Sequence, residues 1–161
     1  MIIDTIPQED LKIVCKEFGT YTIIGDNVIF EGQEPTMQEV EAKYIIAKKK
    51  EANLIIDMHF ENERTKIDFI GTGQQATYNE KVNAATKQIN GDTLTDEEKL
   101  WLENEIGIWG NTATEVANAI LTAKSEWVEA GQAIEKSRIQ AKEQIRLATT
   151  VDEIKLVTEN L

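Results

Sequence analysis

The sequence predicts a mainly α protein, either a helical bundle or a long helical hairpin, with a small β-hairpin near its N-terminus. Three observations lead to this fold class. First, Thr-x-x-Glu stands at residues 36–39, 95–98, 112–115 and 150–153, each time where a helix could begin. In this capping box the Thr hydroxyl accepts a hydrogen bond from a free N–H of the first helical turn, and the Glu reaches back to another. The other observations are a heptad-like apolar spacing after Thr112 and two short β-type runs near the N-terminus.

Residues 1–35 are predicted to form a short helix followed by the β-hairpin. The helix runs from Pro7 to Phe18, with acidic residues in its first turn. The β-branched and aromatic runs 21–24 and 28–30 flank Gly-Asp-Asn, a turn sequence typical of hairpins. Because an isolated hairpin is marginally stable in water, we expect it to pack on a helix, on another strand or on a neighbouring chain.

Residues 36–161 are predicted to form a second, helical domain. Its first helix begins at Thr36. Within residues 54–70 the apolar runs fit a helix or a strand, and we favour a helix because residues 61–64 contain no strong turn residue.

Two further helices are expected before the long C-terminal one. The first spans residues 74–89, ends at Asn90-Gly91, and is expected to bury Ala76, Val82, Ala85 and Ile89. A short helix around Trp101 then follows, stopped by the glycines of residues 107–110.

The last long helix is predicted from Thr112 to about Ala148. Spacings of four and three residues separate its predicted inward positions, a pattern typical of a helix–helix seam. The seam could lie within the chain or between subunits. These positions are Val116, Ile120, Ala123, Trp127, Ala130, Ile134, Ser137, Ala141, Ile145 and Ala148.

Composition narrows the classes of partner. The net charge is −12, and such a field repels nucleic acid and anionic membranes, so neither is expected as a partner. Cys15 and His59 are the only residues of their types, which excludes an intrachain disulfide and leaves a Cys/His zinc site without enough ligands. No basic leader and no long apolar run is present, so we expect neither a signal peptide nor a membrane span.

No pattern in the sequence points to catalysis, a cofactor or a metal. The run Gly71-Thr72-Gly73 lacks the spaced glycine or Lys of a phosphate-binding loop. A nucleophile would need a neighbouring base, and the one imidazole stands between Met58 and Phe60. The sequence contains no Glu-x-x-His motif of a di-iron bundle. We therefore expect no catalytic, cofactor-binding or metal-binding residues and predict a protein that is not an enzyme.

Aromatic and large apolar residues are the remaining candidates for function. Buried, they would form the core; exposed, they would mark a surface that binds a partner. The candidate interaction surface comprises Tyr21, Ile23, Val28 and Phe30 of the hairpin, with Trp101, Trp109, Trp127 and Ile134 of the helical domain.

Several phrases of the sequence resemble those of small tail-associated proteins of bacteriophages. In that group a Tyr-x-x-Lys helix follows a Gly-Gln stretch, a Trp-Gly precedes a Thr-capped helix, and the helix runs through a Trp to Ile-Glu-x-x-Arg. The opening around Glu34-Pro35-Thr36 is similar as well. The matching segments here are residues 71–81, 109–120, 127, 134–138, 142–145 and 148–154.

The resemblance implies a virion tail or baseplate accessory protein, or a factor that assists fibre assembly. Together with the heptad-like last helix and the small hairpin, it leads us to expect a non-enzymatic tail component that binds tail-fibre or baseplate proteins and forms homo-oligomers. It supplies no catalytic residues. Three alternatives stay open: a tail-fibre assembly chaperone that acts in the host cytoplasm and is absent from the mature virion, an unrelated helical adaptor, and a carbohydrate-binding tip with exposed tryptophans.

Overall fold

The computed structural model describes residues 6–24, 27–67 and 72–161. It is 75% helical with a two-stranded antiparallel β-hairpin at the N-terminus, which confirms the predicted fold class. The described helices and strands are α1 (Gln8–Cys15), a 3-10 helix (Lys16–Phe18), β1 (Tyr21–Ile24), β2 (Asn27–Phe30), α2 (Met37–Ile67), α3 (Thr72–Asn90), α4 (Asp96–Glu103), α5 (Ala113–Leu147) and α6 (Val151–Glu159).

The ambiguous segment after residue 54 is helical as far as the structure describes it, because α2 continues without interruption to Ile67. Residues 68–71, which include part of that prediction, lie outside the described residues, as do Gly25 and Asp26 of the predicted hairpin turn. In the described part of the chain, no helix is both long and apolar enough to cross a membrane.

The chain divides into two compact units. The first takes in residues 1–59 and 138–161, and the second takes in residues 60–137. Helices α2 and α5 each contribute to both units. This division differs from the predicted boundary at residue 35, because α1 and the hairpin share one core with Val40 and Tyr44 of α2.

The first unit is built around the face that α1 buries. Leu11 and Val14 are 1% exposed and pack with Val28 of the hairpin, which is completely buried. In the hairpin Tyr21 pairs with Phe30, and Ile23 pairs with Val28. Side chains alternate between the two faces of a strand, so these four share the face that lies on the core. The hairpin therefore meets its need for packing within its own unit.

Helices α2 and α5 are also joined by polar contacts within the first unit. Asp57 of α2 accepts hydrogen bonds from Arg138 at 2.9 Å and from Lys142 at 2.8 Å. The bonds from Lys142 and Arg138 lower the pKa of the Asp57 carboxyl. Ile56, next to Asp57 in the sequence, and Ile145, three residues after Lys142, are fully buried. Buried apolar residues and an ion pair thus occur in the same part of α2 and of α5.

The second unit has a core of small and medium side chains. Its buried residues come from α3, α4 and α5, with Tyr78, Leu94 and Trp101 partly buried against them. Alanines at two successive positions of α3 let the helices approach closely, and Leu102 of α4, 1% exposed, fills the centre. The core residues are Val82, Ala84, Ala85, Leu102, Val116, Ala117 and Ile120.

Three of the four predicted capping boxes form completely. At Thr36, Thr95 and Thr150 the hydroxyl accepts from the N–H three residues on, and the Glu carboxylate accepts from the Thr N–H. At Thr112 the hydroxyl accepts from the Glu115 N–H at 3.2 Å, but the Glu115 carboxylate accepts from the N–H of Asn111 instead. All four motifs mark a helix start.

The predicted seam of α5 is buried only at its two ends. Val116 and Ile120 are buried near the start of α5, and Ala141 and Ile145 near its end. Between them Ala123, Trp127 and Ser137 are exposed, while Ala130 and Ile134 are half-buried. The expectation of a continuous inward stripe is wrong for the middle of the helix, because the described residues provide no cover for those positions. Two inward positions of α3 are likewise exposed, Ala76 and Ile89.

Candidate interaction surfaces

The hairpin residues proposed as an interaction surface belong to the core of the first unit. Val28 has no exposed surface, which removes it from the candidate surface. Tyr21, Ile23 and Phe30 are half-buried against the same core. The Tyr21 hydroxyl also donates to the Lys12 carbonyl at 3.1 Å, which fixes the strand against α1.

The opposite face of the hairpin carries apolar residues that the sequence reasoning missed. Ile24 is 61% exposed and Ile29 is 52% exposed. The two-residue alternation along each strand would have found them, because a strand that turns Ile23 inward turns Ile24 outward. Two exposed isoleucines on a short edge form a small patch, of a kind that is common on monomeric proteins.

The three tryptophans lie in three different environments. Trp101 of α4 is half-buried against the core of the second unit. Trp127, in the middle of α5, is 43% exposed, and Trp109, in the connection from α4 to α5, is 63% exposed. Ile134 is half-buried. Of the aromatic candidates, Trp109 offers the largest exposed fraction to a partner.

Trp109 projects from a tight loop of residues 104–110, which we name the Trp109 loop. Its backbone is closed by its own hydrogen bonds. The Glu105 carbonyl accepts from the Ile108 N–H at 3.0 Å and from the Trp109 N–H at 3.1 Å, and the Gly107 N–H donates to the Gly110 carbonyl at 2.7 Å. With these backbone groups satisfied internally, the Ile108 and Trp109 side chains point to solvent, 74% and 63% exposed.

Two glycines are required by the geometry of this loop. Gly107 has a φ of 88°, in the left-handed region that other L-residues rarely adopt. A Cβ on Gly110 would lie 2.6 Å from the Cβ of Glu115, so a side chain there would collide with the first turn of α5. The glycines that were predicted to stop a helix therefore also shape a defined loop.

An ion pair ties the Trp109 loop to α3. The Glu105 carboxylate accepts a hydrogen bond from the Lys81 ammonium, and the Glu105 side chain is 15% exposed. The Glu105 carbonyl closes the loop and the Glu105 carboxylate binds Lys81, so both the backbone and the side chain of this residue are held in place. The loop is thus held in place before any partner arrives, which reduces the ordering entropy that binding costs.

Reactive groups are not assembled into a site in the described part of the chain. Cys15 is fully buried, and burial raises the pKa of its thiol, which disfavours the nucleophilic thiolate. No group of three His, Cys, Asp or Glu side chains that could hold a metal ion occurs among residues 6–24, 27–67 and 72–161. The exposed apolar side chains are the features of the described surface that suggest a molecular function.

Comparison with protein-family models, with curated proteins and with solved structures finds no match for this chain. The fold and the surface together therefore define only a structural class. The chain is a mainly α protein with a small β-hairpin and with a preformed apolar loop on its second unit.

Proposed function

We propose that this chain is a non-enzymatic component of a bacteriophage tail that binds a tail-fibre or baseplate protein through its Trp109 loop. The observation that carries the binding part is the preformed loop with Ile108 and Trp109 side by side in solvent. The proposed location in the tail is supported by the sequence phrases that resemble those of small phage tail proteins.

A tryptophan beside a large aliphatic residue has the chemistry of a binding anchor. Tryptophan is enriched among residues that dominate binding energy, because it removes a large apolar area from water and retains one N–H donor. A partner pocket would remove the exposed apolar area of Ile108 and Trp109 from water, which would favour binding. The binding function accounts for a loop that displays rather than buries them.

The middle of α5 supports a second part of the proposal, self-association. Ala123 and Trp127 occupy seam positions of the heptad-like pattern, yet they are exposed, and Ile134 is half-buried. A second copy that contacts this stripe would complete the helix–helix packing that the described chain lacks there. The chain is thereby proposed to be a homo-oligomer.

Light scattering tests self-association. We expect a mass above the 18.2 kDa of one chain, and we expect Trp127→Glu to restore the monomer. The exposed Thr122 provides a matched control on the same helix, since Thr122→Glu adds the same charge away from the seam. A monomeric wild type at concentrations of about 100 μM, where weak dimers of micromolar affinity would form, contradicts this part.

Mass mapping of purified particles tests the location in the tail. Peptides of this chain are expected in mature tails, and they should be lost when Trp109→Ala and Ile108→Ala are combined. Tails that assemble normally and never contain the chain contradict the proposal. Binding of the chain only to free fibre, with release before maturation, would instead favour an assembly chaperone.

A further inference from the structure

A groove on the first unit has the composition of a docking site for a helix. It has a volume of about 520 Å³ and lies between α2 and the segment formed by α1 and the 3-10 helix. Its apolar surface includes Ile13, Ile46 and Leu54, which are 47%, 62% and 59% exposed. Three large aliphatic side chains therefore line one groove and remain in contact with water.

The α2 wall of this groove is a regular helical stripe. Lining residues stand at positions 43, 46, 47, 50, 51 and 54, the spacing of one face of an α-helix. From Lys43 to Leu54 the stripe is about 17 Å long, at a rise of about 1.5 Å per residue. A partner helix of about three turns would match this length and could pack its side chains between those of the stripe.

The charge in the groove differs from that of the whole chain. Four lysines and three carboxylates line it, on a chain whose net charge is −12. Two of the carboxylates are already engaged: Lys48 lies 3.0 Å from Asp10 and 2.9 Å from Glu51. Asp10 also accepts from the Tyr44 hydroxyl at 2.8 Å. One ammonium is shared by the two carboxylates, so a ligand would meet this cluster with a net charge of −1.

Three lysines of the groove remain available. Lys16, Lys43 and Lys50 are exposed and form no ion pair within the described residues. Glu17 is the one lining carboxylate that forms no ion pair within the described residues. Four lysines and three carboxylates give the lining a net charge of +1, in contrast to the −12 of the whole chain, and the available lysines lie beside aliphatic side chains. This field selects acidic partners and disfavours basic ones.

The basic run of residues 48–50 shows how this field arises. Lys48 is held by Asp10 and Glu51, and Lys49 donates to the Arg146 carbonyl at 2.8 Å. Of the three lysines of this run, only Lys50 lines the groove without an ion-pair partner in the described chain. Hydrogen bonds from Lys48 to Glu51 and Asp10 raise the pKa of Lys48 to about 12, against the opposing effect of burial.

We infer that this groove binds an acidic amphipathic helix of a partner protein, with its aliphatic face on Ile13, Ile46 and Leu54 and its carboxylates on Lys16, Lys43 and Lys50. The inference shares with the proposed function the premise that the chain binds protein, but it concerns a different surface. It names the chemistry of the partner segment and assigns no role to the Trp109 loop.

A designed peptide tests the groove on the full chain. The probe is a fluorescein-labelled helix of about three turns with Leu on one face and Glu on the others, and anisotropy measures its binding. One control peptide has Lys in place of every Glu, and another has the same composition with the leucines dispersed around the helix. We expect only the acidic amphipathic peptide to bind, with an affinity that falls as salt is added.

Charge reversal in the protein locates the binding. Lys43→Glu combined with Lys50→Glu is expected to weaken the acidic peptide by about tenfold or more, since two attractions become repulsions. Lys124→Glu with Lys136→Glu makes the same change of charge on exposed positions of α5 and should leave affinity within about twofold. All four positions are on helix surfaces, where Lys and Glu have similar helix propensity, so each variant should fold.

Three results would overturn the inference. Equal binding of the acidic and the Lys-containing peptides would remove the charge selection. Unchanged affinity of the Lys43/Lys50 variant would place the peptide elsewhere. A wild-type dimer that the same variant dissociates would show that a second copy covers the groove. A Trp109→Ala chain should bind the peptide normally, so failure of the Trp109 loop proposal and failure of this one are distinguishable.

Discussion

Helix α4 carries two leucines in opposite environments, and replacing each by alanine separates core packing from helix propensity. Leu102 is 1% exposed in the core of the second unit, whereas Leu100, two positions earlier, is 53% exposed. Leu102→Ala removes fully buried carbon atoms and leaves a cavity, which costs about 2–5 kcal/mol. Leu100→Ala removes a side chain already half in water and leaves no cavity, so we expect about 1 kcal/mol or less.

Thermal unfolding followed by circular dichroism at the helical minimum measures both variants. For a chain of this size about 1 kcal/mol lowers Tm by roughly 2–4 °C, so Leu102→Ala should lose roughly 4–20 °C and Leu100→Ala no more than about 4 °C. The change in intrinsic propensity is the same in both, because both replace Leu by Ala in one helix. Equal losses for the two variants would refute the orientation of α4 described above.

Three further predictions concern other parts of the chain. At a protein concentration low enough to keep the chain monomeric, Trp127→Ala should change the free energy of unfolding by less than about 1 kcal/mol, because the side chain is 43% exposed in the single chain; a loss of about 3–5 kcal/mol in a urea titration would show that it is buried within the chain. Cys15 should react with a thiol reagent at least roughly 100-fold more slowly in the native chain than in urea, since the thiol is buried and its pKa raised; equal rates would contradict this. Glu98→Gln should lower stability at pH 7, and its difference from the wild type should shrink as the pH falls below the ordinary Glu pKa of about 4.3.

The sign of the Glu98 effect follows from its partners. Hydrogen bonds from Lys87 and from the Thr95 N–H lower the pKa of Glu98 in the folded chain. A lowered folded pKa stabilises the fold above the unfolded pKa, and this contribution is lost as the pH falls through the folded value. A difference between Glu98→Gln and the wild type that stays constant from pH 7 to pH 3 would rule out the carboxylate as its source.

Local signals predicted the secondary structure well, because they depend on neighbours in the sequence. The hydroxyl of Thr95 and the carboxylate of Glu98 can satisfy a helix start wherever that helix lies. The hairpin is local in the same sense, and its inner face could be assigned by alternation once its partner was known. Gly91, with a φ of 76°, ended α3 where its sequence indicated.

Burial was predicted less well, because it depends on elements that are distant in the sequence. The apolar spacing of α5 continues through Trp127, but the spacing alone does not reveal whether another element lies over it. The hairpin gave the opposite error: Val28 was considered for a surface and is buried by α1 and α2. In both cases the periodicity was correct, but it did not show which element, if any, packs against the apolar face.

The Trp109 loop was identified in part. Trp109 was a candidate from its residue type, whereas Ile108 was not, and the role of Glu105 as the anchor to α3 depends on Lys81, 24 residues earlier. The groove on the first unit could not be seen from the sequence. It arises when α1 pairs Asp10 with Lys48 and leaves Lys43 and Lys50 without such a partner in the described chain.

Photo-crosslinking from position 109 in the native cellular setting tests the central claim most directly. With p-benzoylphenylalanine in place of Trp109, the proposal predicts a covalent adduct to one protein, identified by mass spectrometry as a tail-fibre or baseplate component. The same probe at the exposed Glu97 of α4 should give none. An adduct to a protein unrelated to tails would contradict the phage assignment, and the absence of any protein adduct at position 109 would contradict binding through this loop.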